Sequence, residues 1–110
     1  MKPITLFFGD GKHPLLLTSP MIRELERKLA SGIGATLARF QGQTFTFDDL
    51  TETIRCGLIG GGMAPQQAHD LARIYVDQRP FFESYQTAYS VLLARFTGTD
   101  EDAEPEAANV

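Results

Sequence analysis

The triple glycine Gly60-Gly61-Gly62 is the cluster in this 110-residue chain whose residue types and spacing most suggest chemistry. Glycines before a helix N-terminus can bind phosphate through their backbone N–H groups. A phosphate loop, however, follows a strand and needs Lys and Ser or Thr at set positions, whereas this cluster follows a predicted helix and has neither. We therefore predict that the glycines end a helix in a turn with close backbone packing, which is a structural role.

Cys56, His13 and His69 are the residues that would serve a metal site or a nucleophile–base pair. Two isolated histidines and one cysteine are a poor zinc set. Asp70 does not complete it, because adjacent helical residues such as His69 and Asp70 point in different directions. A nucleophilic cysteine would need the fold to bring one of the histidines to it. We predict two surface histidines and an inert, half-buried cysteine.

Asp48, Asp49 and Glu52 have the residue types of an acid–base group. They lie in the first turn of a predicted helix, where the helix dipole is a sufficient reason for carboxylates. We therefore expect that the chain is not an enzyme and that it has no catalytic, cofactor-binding or metal-binding residues.

The elements that position these residues are predicted to form an α+β, mainly α, fold: an N-terminal β-hairpin followed by about five short helices. β-Prone residues at 4–8 and 15–18 flank a Gly-, Asp- and Pro-containing turn at 9–14. Two strands are marginal on their own, so the hairpin must lie on the helices or pair with another chain.

Capping residues and glycines predict where the helices begin and end. The start signals are Ser19-Pro20, Thr46-Phe47-Asp48-Asp49, Pro65 and Pro80, and the stop signals are Gly32, Gly42, Gly60-Gly61-Gly62 and Gly98. In the third helix the apolar stripe is predicted to be Phe47, Leu50, Ile54 and Leu58.

The last helix carries more aromatic rings than one narrow stripe needs. Two interpretations stay open: the rings belong to the core, or some of them contact a second copy or a partner helix. The candidate partner or oligomer contacts are Phe81, Phe82, Tyr85 and Tyr89.

Composition predicts a single domain at 1–98 and an acidic disordered tail at 99–110, for which a docking role is the alternative. The net charge is −4, and the five acidic residues of the tail account for it, so we expect no nucleic-acid partner. We expect no membrane partner, because no apolar run approaches the length of a membrane span. One cysteine and the lack of a signal-peptide pattern at the start favour the cytoplasm.

Two segments resemble a known family. Gly57-Leu58-Ile59-Gly60-Gly61-Gly62 and Tyr75-Val76-Asp77-Gln78-Arg79-Pro80, with the helical order between residues 4 and 98, are similar to the small tail-assembly proteins of phages and gene transfer agents. That family has been labelled both tail assembly chaperone and tail tube protein. Within the resemblance, we expect the glycine segment and the Arg79-Pro80 hinge to be structural joints that shape a binding surface without touching the partner.

Of the two labels, chaperone agrees better with the predicted helices, since a tail tube subunit resembles a mostly-β barrel. The resemblance then implies a cytoplasmic protein of the host cell that binds the tape measure protein and keeps it soluble until the tail tube polymerises. It implies self-association, contact with the tail tube protein and absence from finished particles. It implies no cofactor. The alternatives are a structural tail component, either a tube or an adaptor subunit, retained in the particle, and a helical adaptor unrelated to phage.

Overall fold

An antiparallel hairpin of two strands begins the fold, and five helices follow it. The structure is a computed structural model that describes residues 1–99. Its elements are β1 (Ile4–Phe8), β2 (Gly11–Leu15), α1 (Ser19–Leu29), α2 (Ile33–Gln41), α3 (Phe47–Gly60), α4 (Pro65–Gln78) and α5 (Phe81–Thr97). The predicted fold class is confirmed. The division into one domain at 1–98 and an acidic tail at 99–110 stays a prediction, because the tail after Thr99 lies outside the described residues.

The hairpin turn is much tighter than the sequence predicted. The first strand is at 4–8 as predicted. The second strand predicted at 15–18 and the six-residue turn are wrong, because β2 is Gly11–Leu15 and the turn is Gly9-Asp10. Gly9 has a φ of 68°, and a glycine at the first position of a two-residue turn is typical of a type II′ hairpin. Pro14 is tolerated inside β2 because it pairs with Thr5 at a non-hydrogen-bonded position, where its missing N–H faces away from β1.

Two helix ends also differ from the prediction. Thr18 rather than Ser19 caps α1, because Thr18 has an extended backbone and its hydroxyl accepts a first-turn N–H at 3.4 Å. Gly32, predicted to end α1, is instead the N-cap of α2. The C-cap of α1 is Ala30, two residues before Gly32, and it adopts the left-handed conformation with a φ of 50°.

Helix α3 is the centre of the core. Its side chains Leu50, Ile54, Cys56 and Leu58 are all fully buried. They are covered by α1, α4 and α5 and by strand β2, so α3 is apolar around most of its circumference rather than along one stripe. The other elements are therefore positioned relative to one another through α3.

Candidate protein-binding site

The end of β2 lies directly on the last turns of α3. It rests against the segment Gly57-Leu58-Ile59-Gly60-Gly61-Gly62, which we call the glycine motif. The Leu16 N–H donates a hydrogen bond to the Gly57 carbonyl at 2.9 Å. A β-carbon on Gly60 would overlap the Leu16 carbonyl oxygen, and one on Gly61 would overlap the Pro14 carbonyl oxygen. Because these residues are glycines, the hairpin backbone can approach α3 closely. A side chain at either position would prevent this approach.

The same glycines do not offer free N–H groups to a ligand. The Gly61 N–H donates to the Gly57 carbonyl and the Gly62 N–H to the Ile59 carbonyl, both at 2.9 Å, as α3 ends. Gly62 has a φ of 115°, which favours glycine at the exit from the helix. Leu58 is buried in the core and Ile59 is half-buried against it. The arrangement is that of a helix end that carries a strand, in contrast to a phosphate loop.

The Arg79-Pro80 joint separates α4 from α5. Arg79 is extended, and Pro80 is the residue from which α5 starts. The Arg79 guanidinium lies 5.1 Å from the ring centre of Tyr75 and 3.5 Å from the carboxylate of Glu83. The Arg79 side chain thus contacts both helices across the joint, although Arg79 is an exposed residue.

The residues considered for catalysis are far from forming a constellation. Cys56 is fully buried rather than half-buried, and burial raises the pKa of its thiol to about 11. His13 Nε2 lies 2.7 Å from Asp10 Oδ1 in the hairpin, and His69 is exposed on α4. Within residues 1–99 no group of three or more His, Cys, Asp and Glu side chains could hold a metal ion.

The three acidic residues at the start of α3 have different partners. Asp49 is buried and bonds to Arg39, Glu52 bonds to Arg55, and Asp48 is exposed. In the described part of the chain, only Asp49 of the three bonds to a neighbouring helix, α2, whereas the partner of Glu52 lies on α3 itself. Across the same described part of the chain, no helix is both long and apolar enough to span a membrane.

The four candidate contact residues of α5 fall into two pairs. Phe81 and Phe82 are 50% and 67% exposed, although aromatic rings of this size are usually buried. Tyr85 and Tyr89 are half-buried, with ring centres 5.9 Å and 6.4 Å from that of Phe40 in the core. Tyr85 and Tyr89 therefore pack against the core, and a partner or oligomer contact stays a prediction.

An open groove of about 330 Å³ lies beside Phe81 and Phe82 at the start of α5. We call it the aromatic groove; its lining residues are Gln43, Phe45, Phe81, Phe82 and Tyr85. Sequence reasoning missed Phe45, whose ring centre is 5.1 Å from that of Tyr85. Phe47, predicted on the buried stripe of α3, is 44% exposed and its ring meets Phe81 edge-on at 5.8 Å. The sequence signal that could have identified Phe45 is the pair of phenylalanines, Phe45 and Phe47, on either side of the helix cap Thr46.

A family model described as "Phage tail tube protein, GTA-gp10" matches residues 2–98 of the chain. The chain belongs to this family. The predicted membership of a phage and gene transfer agent tail family is thereby confirmed, and the matched region contains both the glycine motif and the aromatic groove. No curated protein and no solved structure matches the chain.

In this tail tube family member, a tight chain reversal after α2 places one rim of the groove. The Thr44 N–H donates to the Arg39 carbonyl at 2.8 Å, and the Gln43 N–H donates to the Phe40 carbonyl at 3.2 Å. This pair of bonds is the Schellman motif, whose left-handed position is usually a glycine. Here Gln43 occupies it with a φ of 58°, and its side chain lines the groove.

Gln43→Gly is expected to raise the free energy of unfolding by about 0.5–1 kcal/mol, because glycine removes the strain of a left-handed L-residue. Gln41→Gly, two residues earlier inside α2, should lower it by about 0.5–1 kcal/mol, since glycine is a poor helix former. Urea denaturation followed by circular dichroism measures both. Equal destabilisation by the two changes would contradict the assigned role of Gln43.

A partly buried ion pair fixes the other end of the loop to α2. Arg39 donates through Nε and Nη2 to the two carboxylate oxygens of Asp49, both at 2.8 Å, and through Nη1 to Ser31 at 2.9 Å. The Asp49 carboxylate also accepts the Thr46 N–H at 2.9 Å, while the Thr46 hydroxyl accepts the Asp49 N–H at 3.0 Å. This capping box holds Phe45 and Phe47 at a defined distance from α5 in the tail tube family member.

The charge state of Asp49 follows from these contacts. Burial alone would raise the pKa of its carboxyl group, but the hydrogen bonds from Arg39 and from the Thr46 backbone outweigh burial. The net pKa lies below the usual range for aspartate. The ion pair is therefore fully formed at neutral pH.

Proposed function

We propose that this chain is a non-catalytic structural component of a phage-type tail, a tube or adaptor subunit that stays in the finished particle. The observation that carries the proposal is the family match, which is described as a tail tube protein and spans residues 2–98. Such a component acts by binding other tail proteins, so its function depends on surfaces rather than on a reactive group. In the host cell it would be cytoplasmic before assembly.

The aromatic groove is the surface that we assign to this contact. Phe47, Phe81 and Phe82 each leave about half or more of a large apolar ring in water, and together they form one patch. Exposed apolar patches of this kind mark interaction sites, and aromatic anchors often dominate the binding free energy. The groove is held by the capping box and the Schellman motif, so little ordering would be required on binding.

Replacing both Phe81 and Phe82 with serine is expected to reduce incorporation of the chain into particles by about tenfold or more, because truncated anchors can weaken binding by 2 kcal/mol or more. Phe96→Ser is the matched control, since Phe96 is 45% exposed on the same helix but lies far from the groove. Quantitative mass spectrometry of purified particles and of the cell lysate measures incorporation. Wild-type chain that is abundant in the lysate but missing from particles would contradict a structural role.

The fold favours a second candidate, an assembly chaperone for the tape measure protein. Within residues 1–99 the sheet has only two strands, whereas a tail tube subunit resembles a mostly-β barrel. In this role the aromatic groove would take the apolar stripe of a tape measure helix and shield it from aggregation until the tube forms. No cofactor is needed, because the polymerising tube would displace the chaperone by mass action.

The two candidates predict opposite particle compositions. A chaperone should be missing from finished particles, and its co-expression should keep the tape measure protein in the soluble fraction. The Phe81 and Phe82 double variant should lose that effect, whereas Phe96→Ser should retain it. A tape measure protein that precipitates equally with and without this chain would exclude the chaperone role.

A further inference from the structure

An open groove of about 530 Å³ lies between α1 and the last turns of α3. We call it the arginine groove, because Arg23 and Arg27 of α1 and Arg55 of α3 line it. Glu24 supplies the one carboxylate among the lining residues of the described chain, and the rest of the wall is mostly apolar. The aromatic groove lies at the opposite end of α3, beside Phe47. The arginine groove is therefore a second surface, which the proposed function does not use.

The positive charge of the arginine groove is only partly neutralised. Glu24 is shared between two arginines: its Oε1 accepts a hydrogen bond from Arg27 Nη2 at 2.6 Å, and its Oε2 accepts one from Arg55 Nη2 at 3.0 Å. Arg55 Nε also donates to Glu52 at 2.6 Å. Arg23 is exposed, and within residues 1–99 no carboxylate pairs with it. Three guanidinium groups therefore face two carboxylates, and Arg23 at the rim carries the excess positive charge.

Helix α5 ends at the same end of the molecule as the arginine groove. The rings of Phe47 and Phe81, the first residues of α3 and α5, meet at 5.8 Å. Further along both helices, a β-carbon on Gly57 would contact Val91 at 3.4 Å. The two helices are therefore parallel, and α5 ends beside the end of α3 that carries the glycine motif.

Helix α1 places the arginine groove at this same end. α1 is antiparallel to α3, because Met21 in its first turn lines the groove together with Ile59 from the last turn of α3. α1 and α5 both pack on α3, so their axes lie within about 20 Å of each other. Residues 100–106, which follow Thr99, would span about 23–25 Å if extended. This segment is therefore long enough to reach the groove of its own chain.

We propose that the acidic segment at 100–106 binds in the arginine groove of its own chain and closes the groove to acidic segments of other proteins. The segment has no Lys or Arg, so its charge is opposite to the excess charge of the groove. Its carboxylates are those of Asp100, Glu101, Asp102, Glu104 and Glu106. Ala103 and Pro105 between them are uncharged and suit the apolar wall. A tail protein that uses the groove would first have to displace the segment.

Tethering favours the segment's own groove over that of a second copy. A segment joined to its site by a few residues has an effective concentration on the order of millimolar. A second copy at micromolar concentration is therefore disfavoured by about a hundredfold or more. Glu24 and Glu52 already hold the guanidinium groups of Arg27 and Arg55 in place, which lowers the cost of ordering them on binding.

A nitroxide spin label in the segment tests the contact in the full-length protein. Ala103→Cys provides the attachment point, and the native Cys56 is fully buried and should not react. Two-dimensional NMR of the isotope-labelled chain should then show broadened amide signals for Arg23 and Glu24, relative to the same sample with the label reduced. Asp48 lies in the first turn of α3, at the other end of the helix, and its signal should stay sharp.

Arg23→Glu is the decisive variant, because it replaces the unpaired cation with an anion at an exposed position. It should weaken the contact about fivefold or more, and the broadening at Glu24 should fall with it. Arg73→Glu is the matched control, since Arg73 is also exposed but lies on α4 outside the groove, and here the broadening should persist. In the wild-type groove, raising the salt to about 1 M should remove the broadening, because the Debye length then falls to about 3 Å.

Sharp signals for Arg23 and Glu24 at low salt would overturn the proposal. Broadening that survives both Arg23→Glu and about 1 M salt would do the same, because it would reflect only the tether. A mixture of isotope-labelled chains without the spin label and spin-labelled chains without the isotope tests the second copy, and its signals should stay sharp at micromolar concentration. Broadening of equal size in this mixture would show that the segment binds another copy, which would overturn the contact within one chain.

Discussion

Gly60→Ala is expected to lower the free energy of unfolding by about 3 kcal/mol, because the new methyl group has no room. It would overlap the Leu16 carbonyl oxygen, which belongs to the backbone and cannot rotate away as a side chain could. Either β2 lifts from α3, which breaks the bond between Leu16 and Gly57, or α3 unwinds at its end. Chemical denaturation of the purified variant measures the loss.

Gly34→Ala provides the matched control for this substitution. Gly34 also lies inside a helix, α2, but no atom of the described chain is near its would-be β-carbon. Alanine should therefore stabilise the protein by up to about 1 kcal/mol through helix propensity alone. If Gly60→Ala also proved neutral or stabilising, the hairpin could not rest on α3 as described.

Asp49→Asn is expected to destabilise the protein by about 3 kcal/mol, since it leaves the Arg39 guanidinium without its buried counter-charge. Asp49 is only 1% exposed and the Arg39 side chain 26%, so water can replace the lost contact only in part. Asp48→Asn is the control: Asp48 lies in the same turn but is exposed, and its loss should change stability by no more than about 0.5 kcal/mol. Similar losses in the two variants would contradict the role of the ion pair.

The same pair makes stability depend on pH in a known direction. The folded pKa of Asp49 lies below its unfolded value of about 4, so the ion pair stabilises fully above that pH. The contribution is lost as the pH falls through the lower, folded pKa. Wild-type protein should therefore lose more stability than Asp49→Asn on acidification from neutral pH to about pH 3, as thermal melts at several pH values would measure.

These predictions concern two joints that place the aromatic groove and the hairpin relative to α3. The Asp49 pair positions the loop that carries Phe45 and Phe47, and the glycine motif positions the hairpin. If the groove binds a tail protein, damage to either joint should affect assembly through stability. Particle assays of Gly60→Ala and Asp49→Asn are therefore interpretable only at temperatures where both variants are folded.

The sequence by itself determined the mainly α fold and most helix boundaries. Thr46, Pro65 and Pro80 each act within one helical turn of their own position, so a start signal can be identified without knowing the rest of the fold. The short stretches around the glycines and Arg79-Pro80 also predicted the tail family, which the match over residues 2–98 confirms.

Only the tertiary structure decided what those glycines accommodate and which aromatic rings face water. The partners of Gly60 and Gly61 are carbonyls of Leu16 and Pro14, and a tight turn at Gly9 brings them there. Phe47 fits the helical period of buried positions, yet it is 44% exposed, because within residues 1–99 its ring is covered only in part, with Phe81 meeting it edge-on. Contacts between residues distant in sequence follow from how the elements pack on α3, and local patterns do not contain that information.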